Sequence, residues 1–117
     1  MKMLLPSALS LLVVGCYYDH ADEIYPTAEC NATTVNYADM AEIMNRNSCN
    51  SCHNASLASG NVQTDNYNSL RSVAQSGKLW GAVNHLPGFV PMPQGTGKIS
   101  QCDLSRIKKW VDSGTPQ

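Results

Sequence analysis

Aromatic residues are scarce in this chain. They make up 7% of its 117 residues, and Phe89 is the single phenylalanine. A domain with so modest an apolar stock struggles to bury a core large enough to stand by itself. A large, flat apolar body around which the chain could wrap would make up the deficit. Charge is scarce as well, at 15% of residues and a net value of -1. That excludes a dedicated nucleic-acid binder, whose footprint is strongly basic. The most apolar stretch, near the N-terminus, is too short to span a bilayer. There is no internal repeat and no alternation of the kind a half-buried strand requires. The length allows one domain with short appendages.

Against these absences stands Asn47-Ser48-Cys49-Asn50-Ser51-Cys52-His53. Two cysteines three apart, followed at once by a histidine, form the pattern by which a c-type haem is attached to protein. On a turn of helix the two sulfurs reach the two vinyl groups of one porphyrin edge and form thioethers. The adjacent His53 then lies beneath the ring with an imidazole nitrogen for the iron. Two other chemistries use a similar pair: a redox dithiol and half of a zinc site. The expected cofactor is one covalent haem c on Cys49 and Cys52.

The N-terminus has an export pattern. Lys2 gives a minimal positive start, Leu4-Leu5 and residues 9–14 supply the apolar stretch, and Gly15-Cys16 follows. Leu12-Val13-Val14-Gly15-Cys16 resembles the lipobox of bacterial lipoproteins, with residues 1–15 as signal peptide and Cys16 as the lipidated first residue. Several acyl chains would give stable anchoring at about 0.8 kcal/mol per buried methylene. The plainer reading is a secretory signal whose Cys16 stays a thiol. Covalent haem attachment takes place outside the bacterial cytoplasm, so leader and motif agree. Residues 16–34 look like an acidic tether, with Asp19, Asp22, Glu23 and Glu29 and no basic residue. His20 lies in it, in a polar setting that suits solvation better than a ligand role.

The remainder, residues 35–117, is expected to be helical. Residues 36–46 place Tyr37, Met40, Ile43 and Met44 on one stripe, with Asn36 as N-cap. Residues 53–65 form a polar loop, and Asp65 is expected to cap a helix over 66–75 with Tyr67, Leu70 and Val73/Ala74 inward. A shorter helical turn over 78–84 carries Leu79, Trp80 and Val83. Residues 85–98 are too dense in Pro and Gly for a regular element. Residues 100–113 are the best-marked helix. Ser100 and Asp103 resemble a capping box, Leu104, Ile107, Trp110 and Val111 form its apolar stripe, and Gly114 ends it. Inside the loop, Pro91-Met92-Pro93 presents a thioether on stiff backbone, and Met92 is the expected second axial ligand. His85 is the other candidate, placed more naturally in the pocket lining or on a haem propionate. A thioether ligand raises the reduction potential relative to two imidazoles.

Cys49 to His53, the Pro-flanked Met92 and the C-terminal amphipathic helix with Trp110 resemble a small class I cytochrome c. The chain is most similar to the short, lipid-anchored type of Bacteroidetes-like bacteria, over roughly residues 36–114. Residues 78–85, leading into Met92-Pro93 and a helix from near Ser100, carry that likeness. The resemblance implies an all-α fold packed around one haem, with the first and last helices crossing near-perpendicular. Met40 or Met44 would meet Trp110 at the crossing. The family often has Gly and an aromatic residue on the first helix there, whereas this chain has Ala41 and methionines.

Cys30 and Cys102 remain after the haem and lipid assignments. In an exported chain such thiols tend to oxidise, so a disulfide is expected, with two separate thiols as the alternative. Every Lys and Arg after the leader lies from Arg46 onward. These could ring a haem edge and steer acidic redox partners, or be an ordinary solvated surface. The function expected is therefore electron transfer between redox-partner proteins at the cell envelope, without an enzyme activity of its own. Two rivals differ in class. One is a haem with an open coordination position for gas sensing or peroxide chemistry, and the other a thiol-disulfide oxidoreductase.

Overall fold

The structure, a computed structural model, describes residues 30–117. The leader, Cys16, His20 and the tether up to residue 29 lie outside the described residues. Four α-helices follow in order: α1 (Tyr37–Arg46), α2 (Tyr67–Gln75), α3 (Lys78–Val83) and α4 (Gln101–Asp112). Short 3-10 turns occupy Cys49–Ser51 and Ser59–Asn61. The described residues contain helices and no strand, so the all-α expectation holds at that level. None of the described helices is long and apolar enough to cross a membrane.

Three of the described helices, α1, α2 and α4, start at a side-chain cap. Asn36 accepts from the Asp39 amide at 3.2 Å, while the Asp39 carboxylate accepts from the Asn36 amide at 2.8 Å. Two otherwise orphaned donors are satisfied reciprocally. α2 is capped by Asn66, whose side chain accepts from the Ser69 amide at 2.9 Å. Asp65, the expected cap, is otherwise engaged: its carboxylate accepts from the Ala55 amide at 2.9 Å and pins the preceding loop. Ser100 caps α4 through the Asp103 amide at 3.0 Å. The reciprocal half of the expected box is not made, because the Asp103 carboxylate turns to α1.

That diversion joins the first and last helices. Asp103, 3% exposed, accepts from Arg46 Nη2 at 2.6 Å and from Asn47 Nδ2 at 2.8 Å. A second bridge runs from Arg106, 4% exposed, to Asp39 at 2.8 Å. Between these polar ties lies the apolar seam. Met40, Ile43 and Met44 of α1 share one buried cluster with Leu104, Ile107 and Trp110 of α4, and Leu70, Ala74, Leu79 and Val83 complete it. The stripes expected from sequence are the faces that are buried.

The C-terminus closes over this core. Gly114 takes the left-handed backbone (φ 88°) that ends many helices. The Thr115 amide returns to Trp110 O at 2.9 Å. The Trp110 indole donates to Pro116 O at 2.8 Å, and the Tyr67 hydroxyl to Thr115 O at 3.0 Å. At the other end Cys30 is bonded to Cys102, with Cα atoms 5.0 Å apart. Lys109 donates to the Ala32 carbonyl, so residues 30–32 are held to α4 at two points.

Candidate functional site

The Cys49–His53 turn grows out of the end of α1. Asn47 closes the helix through its amide to Ile43 O at 3.1 Å, and Ser48 then takes a left-handed conformation (φ 57°). Reversed in this way, the chain winds into the 3-10 turn. The Cys49 carbonyl accepts from the Cys52 amide at 3.3 Å and from the His53 amide at 3.0 Å. Cys49, Cys52 and His53 therefore belong to one turn of chain, as the motif's chemistry requires. Both thiols are free, Cys49 half-buried and Cys52 exposed. Burial pushes the Cys49 thiol up; its own backbone hydrogen bond opposes this, and the Asp103 carboxylate adds to it.

Two residues between and after the cysteines hold this turn, and neither was visible as functional in the sequence. Asn50 donates to Asn45 Oδ1 at 2.7 Å and accepts from Thr64 Oγ1 at 2.7 Å. Thr64, buried, also gives its amide to His53 O at 2.8 Å. The loop after His53 thus folds back and braces the motif from beneath. Its return strand of chain carries Val62, whose carbonyl lies 3.3 Å from His53 Nδ1. A carbonyl can only accept, so Nδ1 carries a proton, and in the neutral ring Nε2 is then the nitrogen with the lone pair. That is the tautomer a metal-ligating histidine needs, and such a carbonyl is a common orienting partner.

The second half of the candidate site hangs from the end of α3. Met92 is half-buried, and its amide donates to Ala82 O at 3.0 Å. The peptide bond to Pro93 is cis. His85, expected to line the pocket or meet a propionate, has its Nε2 3.0 Å from Met92 O. Gly81 is fixed by close approach: a Cβ there would lie 2.5 Å from the Phe89 ring. Phe89 (38%), Val90 (60%) and Leu57 (64%) are the large apolar side chains left exposed among the described residues. Two of them precede Met92 in the chain and the third follows His53.

The residues a covalent haem would use, one imidazole and two free thiols, lie on one turn. Among the described residues no three His, Cys, Asp or Glu side chains are grouped to hold a metal ion. A structural zinc would need four ligands drawn mainly from that set, whereas a haem asks it for one imidazole and two thiols. A lowered pKa favours an attacking thiol; Cys49 is shifted the other way, which bears on that one thiol.

No family model, curated protein or solved structure matches the chain.

Several of the cations are engaged within the chain. Lys108 pairs with Asp112 at 2.6 Å and lies 5.7 Å from the Trp80 ring centre. Lys109 is committed to Ala32, and Arg106 and Arg46 to the bridges between α1 and α4. Lys98, 3.2 Å from Asn84 Oδ1, is the cation anchored next to His85.

Proposed function

We propose that this chain is an electron-transfer protein carrying one covalent haem c, with thioether bonds to Cys49 and Cys52 and axial ligation by His53 and Met92. The observation that carries the reading is the state of His53. It shares a turn with both cysteines, and its Nδ1 is committed to the Val62 carbonyl at 3.3 Å. In the neutral ring Nε2 is then the nitrogen that would meet the iron. The fold proposed for the bound state is that of a small class I cytochrome c, consistent with the helical chain and the α1–α4 seam.

The haem iron, when bound, supplies a one-electron ferrous–ferric couple. The chain's part is to hold both ligands so that little moves when charge changes. On one side His53 is fixed by Val62, Thr64 and the turn itself. On the other, Met92 sits between two prolines with its amide on Ala82 O. Phe89, Val90 and Leu57 are apolar surface that a large flat ligand would draw in, removing it from water at about 25 cal/mol per Å². No substrate bond is made or broken, so the activity is transfer between redox-partner proteins rather than an enzyme reaction. Lipidation at Cys16 would tether the domain at the cell envelope.

The test is an absorption spectrum of the reduced protein after denaturing acid–solvent extraction. Retention of the pigment on the chain is expected. A colourless chain that yields two titratable thiols at Cys49 and Cys52 contradicts the reading. Substitution Met92→Ala should then abolish the ferric sulfur-to-iron band in the near infrared and open the iron to carbon monoxide. If the wild-type protein already lacks that band and binds carbon monoxide readily, the iron has an open position and the function is sensing or peroxide chemistry.

A further inference from the structure

The loop that presents Met92 is rich in proline, and its hydrogen-bonding capacity is correspondingly small. Neither Pro91 nor Pro93 has an amide hydrogen, so Met92 N–H is the single backbone donor of the Pro91-Met92-Pro93 triplet. That donor is used on Ala82 O at 3.0 Å. The same carbonyl accepts the His85 amide at 3.2 Å. From the residue so anchored, the imidazole reaches across and meets Met92 O at 3.0 Å. Since Met92 O can only accept, Nε2 is the donor.

Met92 is therefore gripped on both sides of its own Cα from one point, the C-terminal end of α3. To make this reach, His85 adopts a left-handed backbone, φ 53°. L side chains other than Asn, Asp and His seldom do so, and strain of this kind persists where surrounding structure imposes it.

From this arrangement we infer that His85 is a positioning residue for Met92: its ring clamps the Met92 carbonyl and thereby sets where the thioether is presented. The inference rests on the reading of Met92 as an axial ligand, but the clamp itself is a property of the chain. With Nε2 given to Met92 O, that nitrogen is not available to the iron. His85 acts through Met92, holding the loop closed against exchange of the sulfur for an external ligand.

Two readouts on the haem-loaded protein separate this role from general stability. The first is displacement of the sulfur by added imidazole, followed through the ferric sulfur-to-iron band. The second is hydrogen exchange of the Met92 amide, which reports the loop whether or not sulfur is bound. His85→Ala should bind imidazole about five- to tenfold more tightly and exchange the Met92 amide faster by a similar factor, the range expected for one lost hydrogen bond. His85→Gly relieves the backbone at φ 53° yet lacks the ring, and should behave like His85→Ala. His85→Gln keeps an N–H donor of similar reach and should recover most of the wild-type values.

Unchanged exchange and imidazole affinity in His85→Ala overturn the clamp, as does recovery in His85→Gly, which would make strain the cause. A sulfur-to-iron band absent already in the wild type removes Met92 as ligand and so defeats the reading under Proposed function. In that case the exchange arm still decides whether the clamp exists.

Discussion

Replacing Asp103 by Ala should loosen the junction of α1 and α4. Asp103 is 3% exposed and receives Arg46 at 2.6 Å and Asn47 at 2.8 Å, both at the C-terminal end of α1. Removing one partner of a fully buried ion pair costs 3–5 kcal/mol, mostly because the other charge is stranded. Arg46 is not stranded to that degree. Its side chain is 39% exposed and has Glu42 at 3.4 Å as a second partner. The cost should therefore fall to about 2–3 kcal/mol, made up of two hydrogen bonds, one of them to a cation, and a small cavity. For a domain of this size that is a drop in Tm of roughly 8–24 °C. Asp103→Asn keeps the shape and one acceptor and should lose about half as much. Urea unfolding of the two variants, with Arg46→Ala and the double variant to close the cycle, measures the coupling directly. A coupling below about 0.5 kcal/mol would refute the reasoning and reduce the bridge to an ordinary surface pair.

Other outcomes follow from the same structure. Cys30→Ala with Cys102→Ala should lower stability by about 4 kcal/mol, since the bond closes a loop with a sequence separation of 72; unchanged unfolding midpoints in reducing and oxidising buffer would contradict it. Gly81→Ala should expel the Phe89 ring, which a Cβ would approach to 2.5 Å. Pairing it with Phe89→Ala should restore part of the loss, as the unfolding midpoints of the three variants would report. In the haem-free chain the raised Cys49 thiol favours the protonated form in the folded state. Its stabilising effect is complete below the ordinary thiol pKa and is lost as pH rises through the folded value. Iodoacetamide should accordingly modify Cys49 at a higher pH than an ordinary thiol requires, and Asp103→Asn should lower that pH.

The helices were legible because local signals and long-range packing agreed. Asn36, the Met40/Ile43/Met44 stripe and Gly114 each say the same thing at different scales, and the boundaries fall within about a residue of expectation. The disulfide was legible from cysteine arithmetic once the N-terminal stretch was read as an export signal. What sequence could not give was the destination of a polar side chain with two local uses. Asp65 and Asn66 are both competent caps; the choice fell to Asn66 because the Ala55 amide claims Asp65. Asp103 stands where a capping box would place it, yet the bonds from Arg46 and Asn47 outweigh one to an exposed N-cap amide. Asn50 and Thr64, 14 residues apart, have no periodic signature that would announce their contact. The His85–Met92 bond is of the same kind: a ring and a carbonyl brought together by a turn whose shape composition alone does not specify.

The central claim is a covalent one, and intact-mass analysis of the protein made in a host competent for cytochrome assembly tests it most directly. The account predicts the chain mass plus one haem, with the added mass retained on the proteolytic fragment that contains Cys49 and Cys52. A chain of unmodified mass, or haem that separates from that fragment under denaturation, would contradict it.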